Sequence, residues 1–144
     1  MNKVVQVGFA DDCFLQAGPE NGGKKEMGFT CGKGTGSPLL LQKIAGSEKY
    51  SLKSDNCVLK SKQDQKVPKG EFVCNSVPVQ GINIRHEGDK GYRITLQYNK
   101  EKECPLYWKG LGSERKLQFQ CSGVGDYFSI KEGEFFFYVD PLCK

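Results

Sequence analysis

Residues 92–121 read YRITLQYNKEKECPLYWKGLGSERKLQFQC, and this stretch decides the fold class. It contains two runs in which apolar and polar side chains alternate, residues 92–98 and 116–121. Alternation with a period of two residues is typical of a strand that buries one face. A cysteine, Cys104, and a loop with two glycines separate the two runs. The stretch therefore predicts two short strands joined by a turn-rich loop.

The same alternation recurs elsewhere in the chain. Four more runs are bounded by Gly, Pro, Asn or Asp: residues 4–9, 71–74, 81–85 and 135–139. The turn residues between the runs favour antiparallel strands that follow one another along the chain. Two polar stretches, residues 11–16 and 46–53, offer only a turn or two of helix. The chain is therefore predicted to be all-β, with sheet packed on sheet and little helix.

The composition points away from several classes of function. A length of 144 residues is typical of one domain, and a net charge of +4 is too small to demand nucleic acid as a partner. His86 is the single histidine, which leaves little material for a catalytic triad or a histidine-based metal site. Two acidic pairs, Asp11 with Asp12 and Glu132 with Glu134, offer a general acid and base for a glycosidase, but acids of this kind are common in hairpin turns. We expect a protein that is not an enzyme and that needs no cofactor and no metal.

The seven cysteines indicate the compartment. No two of them are close enough for a C-x-x-C redox motif or for the paired knuckles of a structural zinc site. Disulfides are the better use, and they predict a secreted, extracellular or secretory-lumen protein. A cytosolic protein with reduced, buried thiols is the alternative. Because no window approaches 18 apolar residues, membrane insertion is not expected.

The spacing of the cysteines suggests an internal repeat. Positions 13, 31 and 57 are followed, at offsets of about 90 residues, by positions 104, 121 and 143. This predicts a single β domain over residues 1–144, with related halves 1–58 and 90–144 joined by a loop-rich segment, 59–89. It also suggests the pairs Cys31–Cys57 and Cys121–Cys143. Cys13, Cys74 and Cys104 are then left to supply one more bridge and the odd thiol.

The second half of the chain resembles the repeats of the cation-independent mannose 6-phosphate receptor and related receptor-homology lectin domains. The resemblance covers about 55 residues and rests on ITLQY at 94–98, Cys104-Pro105, Gly110-Leu111, LQFQC at 117–121, FFFY at 135–138 and Pro141-Leu142-Cys143. It implies a flattened barrel of two crossed antiparallel sheets and a bridge from Cys121 to Cys143. The chain departs from the family ahead of its aromatic strand, where residues 132–134 replace a cysteine.

The resemblance also implies candidate ligand-binding residues. Sugar-binding members carry a Gln, an Arg, a Glu and a Tyr around a mannose ring. Arg115 stands near the family's Arg, and Glu132 or Glu134 lies in the loop that bears its Glu. Tyr138 comes later than the family's Tyr, and no Gln matches. Trp108, in a predicted loop, either covers an edge of the core or anchors a partner.

The expected function follows from this partial match. A site built to hydrogen-bond several hydroxyls loses much affinity when half of its polar groups are missing. We therefore expect a non-catalytic extracellular or luminal binding module that recognises a protein ligand or receptor. The alternative is a mannose-type lectin domain with an altered site, and a glycan as its ligand.

Overall fold

A computed structural model describes residues 2–10, 12–32, 38–62, 69–76, 81–97, 102–110 and 114–132. Their regular structure is almost entirely β-strand. The strands are β1 (Asn2–Phe9), β2 (Cys13–Ala17), β3 (Lys24–Cys31), β4 (Leu39–Lys43), β5 (Tyr50–Ser54), β6 (Cys57–Ser61), β7 (Gly70–Cys74), β8 (Ile82–His86), β9 (Tyr92–Gln97), β10 (Glu103–Lys109), β11 (Lys116–Phe119) and β12 (Ser129–Glu132). One 3-10 turn, Gly88–Lys90, precedes β9. The prediction of an all-β fold with little helix is confirmed.

The strands form a closed antiparallel barrel with additional strands. Seven of them close a ring in the order β1, β2, β3, β7, β6, β5 and β4, with β4 pairing back to β1. A second ring continues from β5 through β8 and β9. A bridge between Tyr92 and Phe128 joins β9 to the start of β12, and β12 pairs with β1. Both rings therefore share β1, β4 and β5.

The pairings follow a threefold pattern of four strands each. The units are β1–β4, β5–β8 and β9–β12. In each unit the first strand pairs with the second and the fourth, and the second and third form a hairpin. The fourth strand of each unit pairs with the first strand of the next. The division of the chain into domains stays a prediction.

A short sequence motif marks the hairpin of each unit. The second strand of the unit carries Cys-x-Leu at or next to its start, at residues 13–15, 57–59 and 104–106. The third strand contains or leads into Phe-x-Cys, at residues 29–31, 72–74 and 119–121. The leucine lies directly opposite the phenylalanine in all three hairpins: Leu15 with Phe29, Leu59 with Phe72 and Leu106 with Phe119. The repeat therefore has a period of about 45 residues, and the offset of about 90 is two such periods.

The predicted disulfide pairs are wrong, although the prediction of a disulfide-tied fold is confirmed. Each bond closes its own hairpin: Cys13–Cys31, Cys57–Cys74 and Cys104–Cys121. Cys31 and Cys57 lie in different hairpins, and Cys121 is bonded to Cys104 instead of Cys143. Cys143 itself lies outside the described residues. Three disulfides indicate an oxidising compartment.

Other local expectations have mixed outcomes. Five of the six predicted alternating runs contain strands, and the sixth, residues 135–139, lies outside the described residues. The two stretches that offered helix are wrong: β2 begins within residues 11–16 and β5 within 46–53. Short strands there pair on both sides, and that pairing outweighs local polarity. Residues 59–89, expected to be rich in loops, contain β7 and β8.

The core lies inside the rings and is built from the inward positions of the strands. Val5, Val7 and Phe9 alternate along β1 and are all buried. The leucines of the three Cys-x-Leu motifs are buried with them, as are Phe72 and Phe119. Phe29, the phenylalanine of the first hairpin, is only partly buried. The first hairpin is thus less covered than its two counterparts.

Peptide mapping of the unreduced protein is expected to give the three hairpin pairs. Proteolysis without reductant, followed by mass spectrometry, would recover peptides that join positions 13 and 31, 57 and 74, and 104 and 121. A recovered link from Cys31 to Cys57, or from Cys121 to Cys143, would contradict the structure.

Leu59→Ala is expected to lower the free energy of unfolding by about 2–5 kcal/mol, the usual cost of a large cavity in a core. Leu59 is 2% exposed and faces Phe72 across the hairpin. Urea titration followed by circular dichroism measures the change. Val124→Ala, at a side chain that is 65% exposed, is the matched control and should change stability by under about 0.5 kcal/mol. Equal effects for the two variants would refute the proposed core.

Candidate binding groove

The third strands of the first two hairpins are joined edge to edge. β3 pairs with β7 through Lys24↔Val73, Lys25↔Phe72 and Glu26↔Glu71. Residues 24–26, which precede the Phe-x-Cys motif at 29–31, thus face residues 71–73, which overlap the Phe-x-Cys motif at 72–74. This ladder closes the end of the barrel between the first and second hairpins.

The third hairpin has no such ladder within the described residues. When the three Phe-x-Cys motifs are aligned, residues 114–116 correspond to 24–26, and residues 28–30 correspond to 71–73. An exact repeat would therefore pair residues 114–116 with residues 28–30. Instead, a groove of about 440 Å³ lies there, between Met27, Gly28 and Phe29 on one side and residues 115–119 on the other. Its remaining wall comes from residues 69–71 and Lys62. The groove therefore occupies the place of the missing pairing.

The edge of β11 that faces this groove has no partner strand among the residues that the structure describes. In an antiparallel pair, successive residues point their N–H and C=O alternately toward and away from the partner strand. The N–H of Gln120 donates to Pro105 O at 3.0 Å. Two residues earlier, the backbone N–H and C=O of Gln118 therefore also point toward β10. Leu117 and Phe119 consequently direct their backbone groups to the other side, and both residues line the groove.

The facing edge of β3 is arranged in the same way. The N–H of Gly18 donates to Glu26 O at 2.8 Å, which places Gly28 among the residues that bond β2. Met27 and Phe29 therefore point their backbone groups away from β2. Beyond Glu26, β3 has no partner on that side within the described residues. Two unpaired strand edges thus border one groove.

Charged side chains of both signs surround the groove. Lys62, Lys69, Arg115 and Lys116 line it together with Glu26 and Glu71. Glu71 is already paired, because its carboxylate lies 3.7 Å from the Lys24 ammonium. Within the described residues, no carboxylate forms an ion pair with any of the four cations that line the groove. The lining therefore carries an excess of positive charge.

Arg115 is held in place without a carboxylate. Its Nη1 lies 2.9 Å from Cys13 Sγ and 3.9 Å from Cys31 Sγ, so it contacts the disulfide of the first hairpin. Its guanidinium carbon lies 5.9 Å from the centre of the Trp108 ring. Its Nε is buried without a hydrogen-bond partner among the described residues. The guanidinium is thus fixed in position, and no carboxylate in the described ranges neutralises its charge.

Trp108 covers an edge of the core. Its ring lies 6.0 Å from that of Phe9, and its indole N–H donates to Tyr127 O at 3.1 Å. Its backbone N–H donates to the Asp126 carboxylate at 2.8 Å. Trp108 lies in β10, so its expected place in a loop is wrong. Its contacts match the first of the two roles expected for it, and anchoring of a partner stays a prediction.

Glu132 belongs to a different cavity, at the mouth of the six-strand ring. This cavity has a volume of about 390 Å³ and is lined by residues of all six strands of that ring. Its floor is apolar, and it includes the rings of Tyr50 and Tyr92. At its rim the Lys3 ammonium donates a hydrogen bond of 2.6 Å to the Glu132 carboxylate. That contact raises the pKa of Lys3.

The predicted ligand set is therefore divided. Arg115 and Trp108 lie together, whereas Glu132 lines a separate cavity. Glu134 and Tyr138 lie outside the described residues, and the roles of all five stay predictions. Sequence reasoning missed the groove lysines and the free edges of β3 and β11. The repeated Phe-x-Cys motif was the available signal, because it aligns the three hairpins.

The groups weighed for catalysis or metal binding lie apart from the groove. His86 is exposed and stacks on Tyr92, with ring centres 4.5 Å apart. Within the described ranges, one cluster has metal-ligand spacing, Glu20 with Cys57 and Cys74. The two sulfurs are bonded to each other and so supply no thiolate. Asp12 and Glu132 are exposed, and Asp11 lies outside the described residues.

Comparisons with protein-family models, with curated proteins and with solved structures found no match to this chain. The resemblance to receptor repeats stays an expectation. Among the described residues, no helix has the length and apolar character needed to cross a bilayer.

Glu132→Gln is expected to return the pKa of Lys3 toward its ordinary value, because the carboxylate that raises it is lost. A lysine whose pKa is raised by folding stabilises the fold fully below about pH 10.4, and that stabilisation is lost as pH rises through the raised pKa. An NMR titration of the Lys3 side chain measures both proteins. An unchanged pKa in Glu132→Gln would show that the pair does not form.

Proposed function

We propose that this chain is a non-catalytic binding module that recognises a protein partner through the groove between β3 and β11. Unpaired strand edges are established sites for adding an extended segment, because main-chain hydrogen bonds supply affinity and flanking side chains supply specificity. The groove offers such edges on both sides. Its partly exposed apolar residues, Met27, Phe29 and Leu117, give a partner's side chains surface to bury.

The observation that carries this proposal is that the described part of the chain has no ladder joining β11 to β3. The first two hairpins pair with each other, and residues at matching positions of the third leave an opening. Exposed strand edges are usually blunted or covered, since they promote association with other chains. An opening with free edges and fixed cations is suited to a partner that covers it.

We also propose that the module works outside the cell or in the lumen of the secretory pathway. Its three disulfides support this, because such bonds persist in oxidising compartments. Their place in the repeat, one per hairpin, makes them structural elements of the module.

A mannose-type lectin is the second candidate, and the barrel mouth favours it. The cavity there combines two tyrosine rings with Glu132 and Lys3, which are groups that can stack on a sugar and bond its hydroxyls. Binding on a glycan array that disappears in Glu132→Ala but persists in Arg115→Ala would support this function over a protein partner.

Capture experiments test the protein-partner proposal. The immobilised module, with disulfides intact, is exposed to extracellular fluid or culture medium from its native source, and retained proteins are identified. We expect a partner that binds the wild type and is retained at least about threefold less by Lys116→Glu, because the reversed charge lies on the groove's rim.

Lys131→Glu is the matched control. Lys131 is also exposed on a strand, β12, but lines neither the groove nor the barrel mouth. Lys131→Glu makes the same change in net charge as Lys116→Glu, but away from the groove. It should therefore retain as much partner as the wild type. A partner lost equally from both variants, or from neither, would argue against the groove as the binding site.

A further inference from the structure

We infer that the partner segment recognised by the groove is extended and acidic, and that it adds as a strand along the free edge of β11. This inference rests on the proposed function and names the chemistry of the partner. Two independent features carry it: the charge around the groove and the direction of the backbone groups at its edges.

The charge feature is a set of cations that no carboxylate among the described residues neutralises. Lys62, Lys69 and Lys116 have no ion pair within the described residues, and Arg115 has a disulfide and an indole as its neighbours instead of a carboxylate. Of the two lining acids, Glu71 is paired with Lys24. A segment that places carboxylates beside these cations gains charge-assisted hydrogen bonds, and a bidentate contact to a fixed guanidinium loses little side-chain entropy.

The backbone feature selects an extended chain. Leu117, which is partly exposed, directs its backbone groups to the groove side of β11, and Met27 and Phe29 do the same from the facing strand; none of these groups has a partner strand within the described residues. An extended segment meets such an edge with alternate residues, and its other residues point to the opposite face. Carboxylates at every second position would therefore all lie on one face of the added strand.

A neighbouring pair of lysines adds to the argument. Lys116 lies directly opposite Lys109 in the β10–β11 ladder, and like charges directly opposite each other are unfavourable. An acidic segment beside β11 would relieve this repulsion. The same arrangement makes Lys116→Glu a mild change for the free protein, because it replaces a repulsive cross-strand pair with an attractive one.

The lysines also have a competing structural explanation. Lysine on an edge strand deters pairing with other chains, and this alone would account for Lys116. Under that explanation, Lys116→Glu changes self-association without creating or removing binding of a peptide. Analytical ultracentrifugation of the free variant therefore accompanies the binding measurement.

The test uses three synthetic peptides of about eight residues and the whole, disulfide-intact chain. The first peptide alternates Glu with Val, the second replaces every Glu with Gln, and the third keeps Glu but methylates the backbone nitrogens of successive residues, so that neither of its edges can donate to β11. Fluorescence anisotropy gives the dissociation constants. We expect the Glu peptide to bind at least about tenfold more tightly than the Gln and N-methylated peptides, and to weaken as salt rises.

Variants of the chain locate the site. Lys116→Glu should weaken the Glu peptide by about three- to tenfold, while Lys131→Glu leaves it unchanged. Gly28→Leu should block peptide binding, because Gly28 lines the groove and a leucine adds bulk there. The fold can accept the substitution, because a Cβ at Gly28 has no neighbour nearer than Gln16 O at 4.0 Å. Thermal unfolding of each variant, compared with the wild type, tests whether the fold is retained.

The outcomes separate this inference from the proposed function. If the native partner is lost in Lys116→Glu but none of the three peptides binds, the protein-partner function stands and the acidic extended segment is refuted. Equal binding of the Glu and N-methylated peptides refutes strand addition. Binding of a sulfated oligosaccharide, with the same response to Lys116→Glu and no binding of peptides, refutes a protein segment altogether.

Discussion

The structure depends on three cross-strand disulfides, each set two residues from a facing leucine–phenylalanine pair, in which the leucine is always buried. Because side chains alternate along a strand, a slip of one residue would move every inward side chain to the outer face. The bond between the cysteines excludes that slip, and the leucine and phenylalanine then meet inside the barrel. Each bond closes a loop of about 17 residues and contributes on the order of 3 kcal/mol by restricting the unfolded chain.

The three units have the same strand pairings within each unit, but their hairpins differ in how they contact one another. Two hairpins share a ladder, and the third leaves a groove lined by unpaired edges and cations. The partly buried Phe29 is consistent with this, since its counterparts Phe72 and Phe119 are fully buried. The barrel mouth, closed on all sides by paired strands, offers a cavity of a different kind. A protein segment and a small polar ligand would therefore use separate parts of the molecule.

The sequence predicted the fold class and the oxidised cysteines, because alternation and turn residues are local signals. It did not predict the disulfide partners, since spacing alone does not distinguish Cys31 bonded to Cys57 from Cys31 bonded to Cys13. The offset of about 90 residues hid a shorter period that the three Phe-x-Cys motifs carry. The groove could not be predicted, because it arises where strands far apart in sequence fail to pair. Arg115 was identified through a resemblance, but its disulfide neighbour was not.

Amide hydrogen exchange in the free protein tests the unjoined edges most directly. The N–H groups of Gln118 and Gly28 bond their hairpin partners, whereas those of Leu117 and Phe29 point into the groove. We expect slow exchange for the first two and exchange faster by at least about tenfold for the other two. Slow exchange at Leu117 and Phe29 would show that a third ladder closes the end of the barrel, and the account of an open groove would fail.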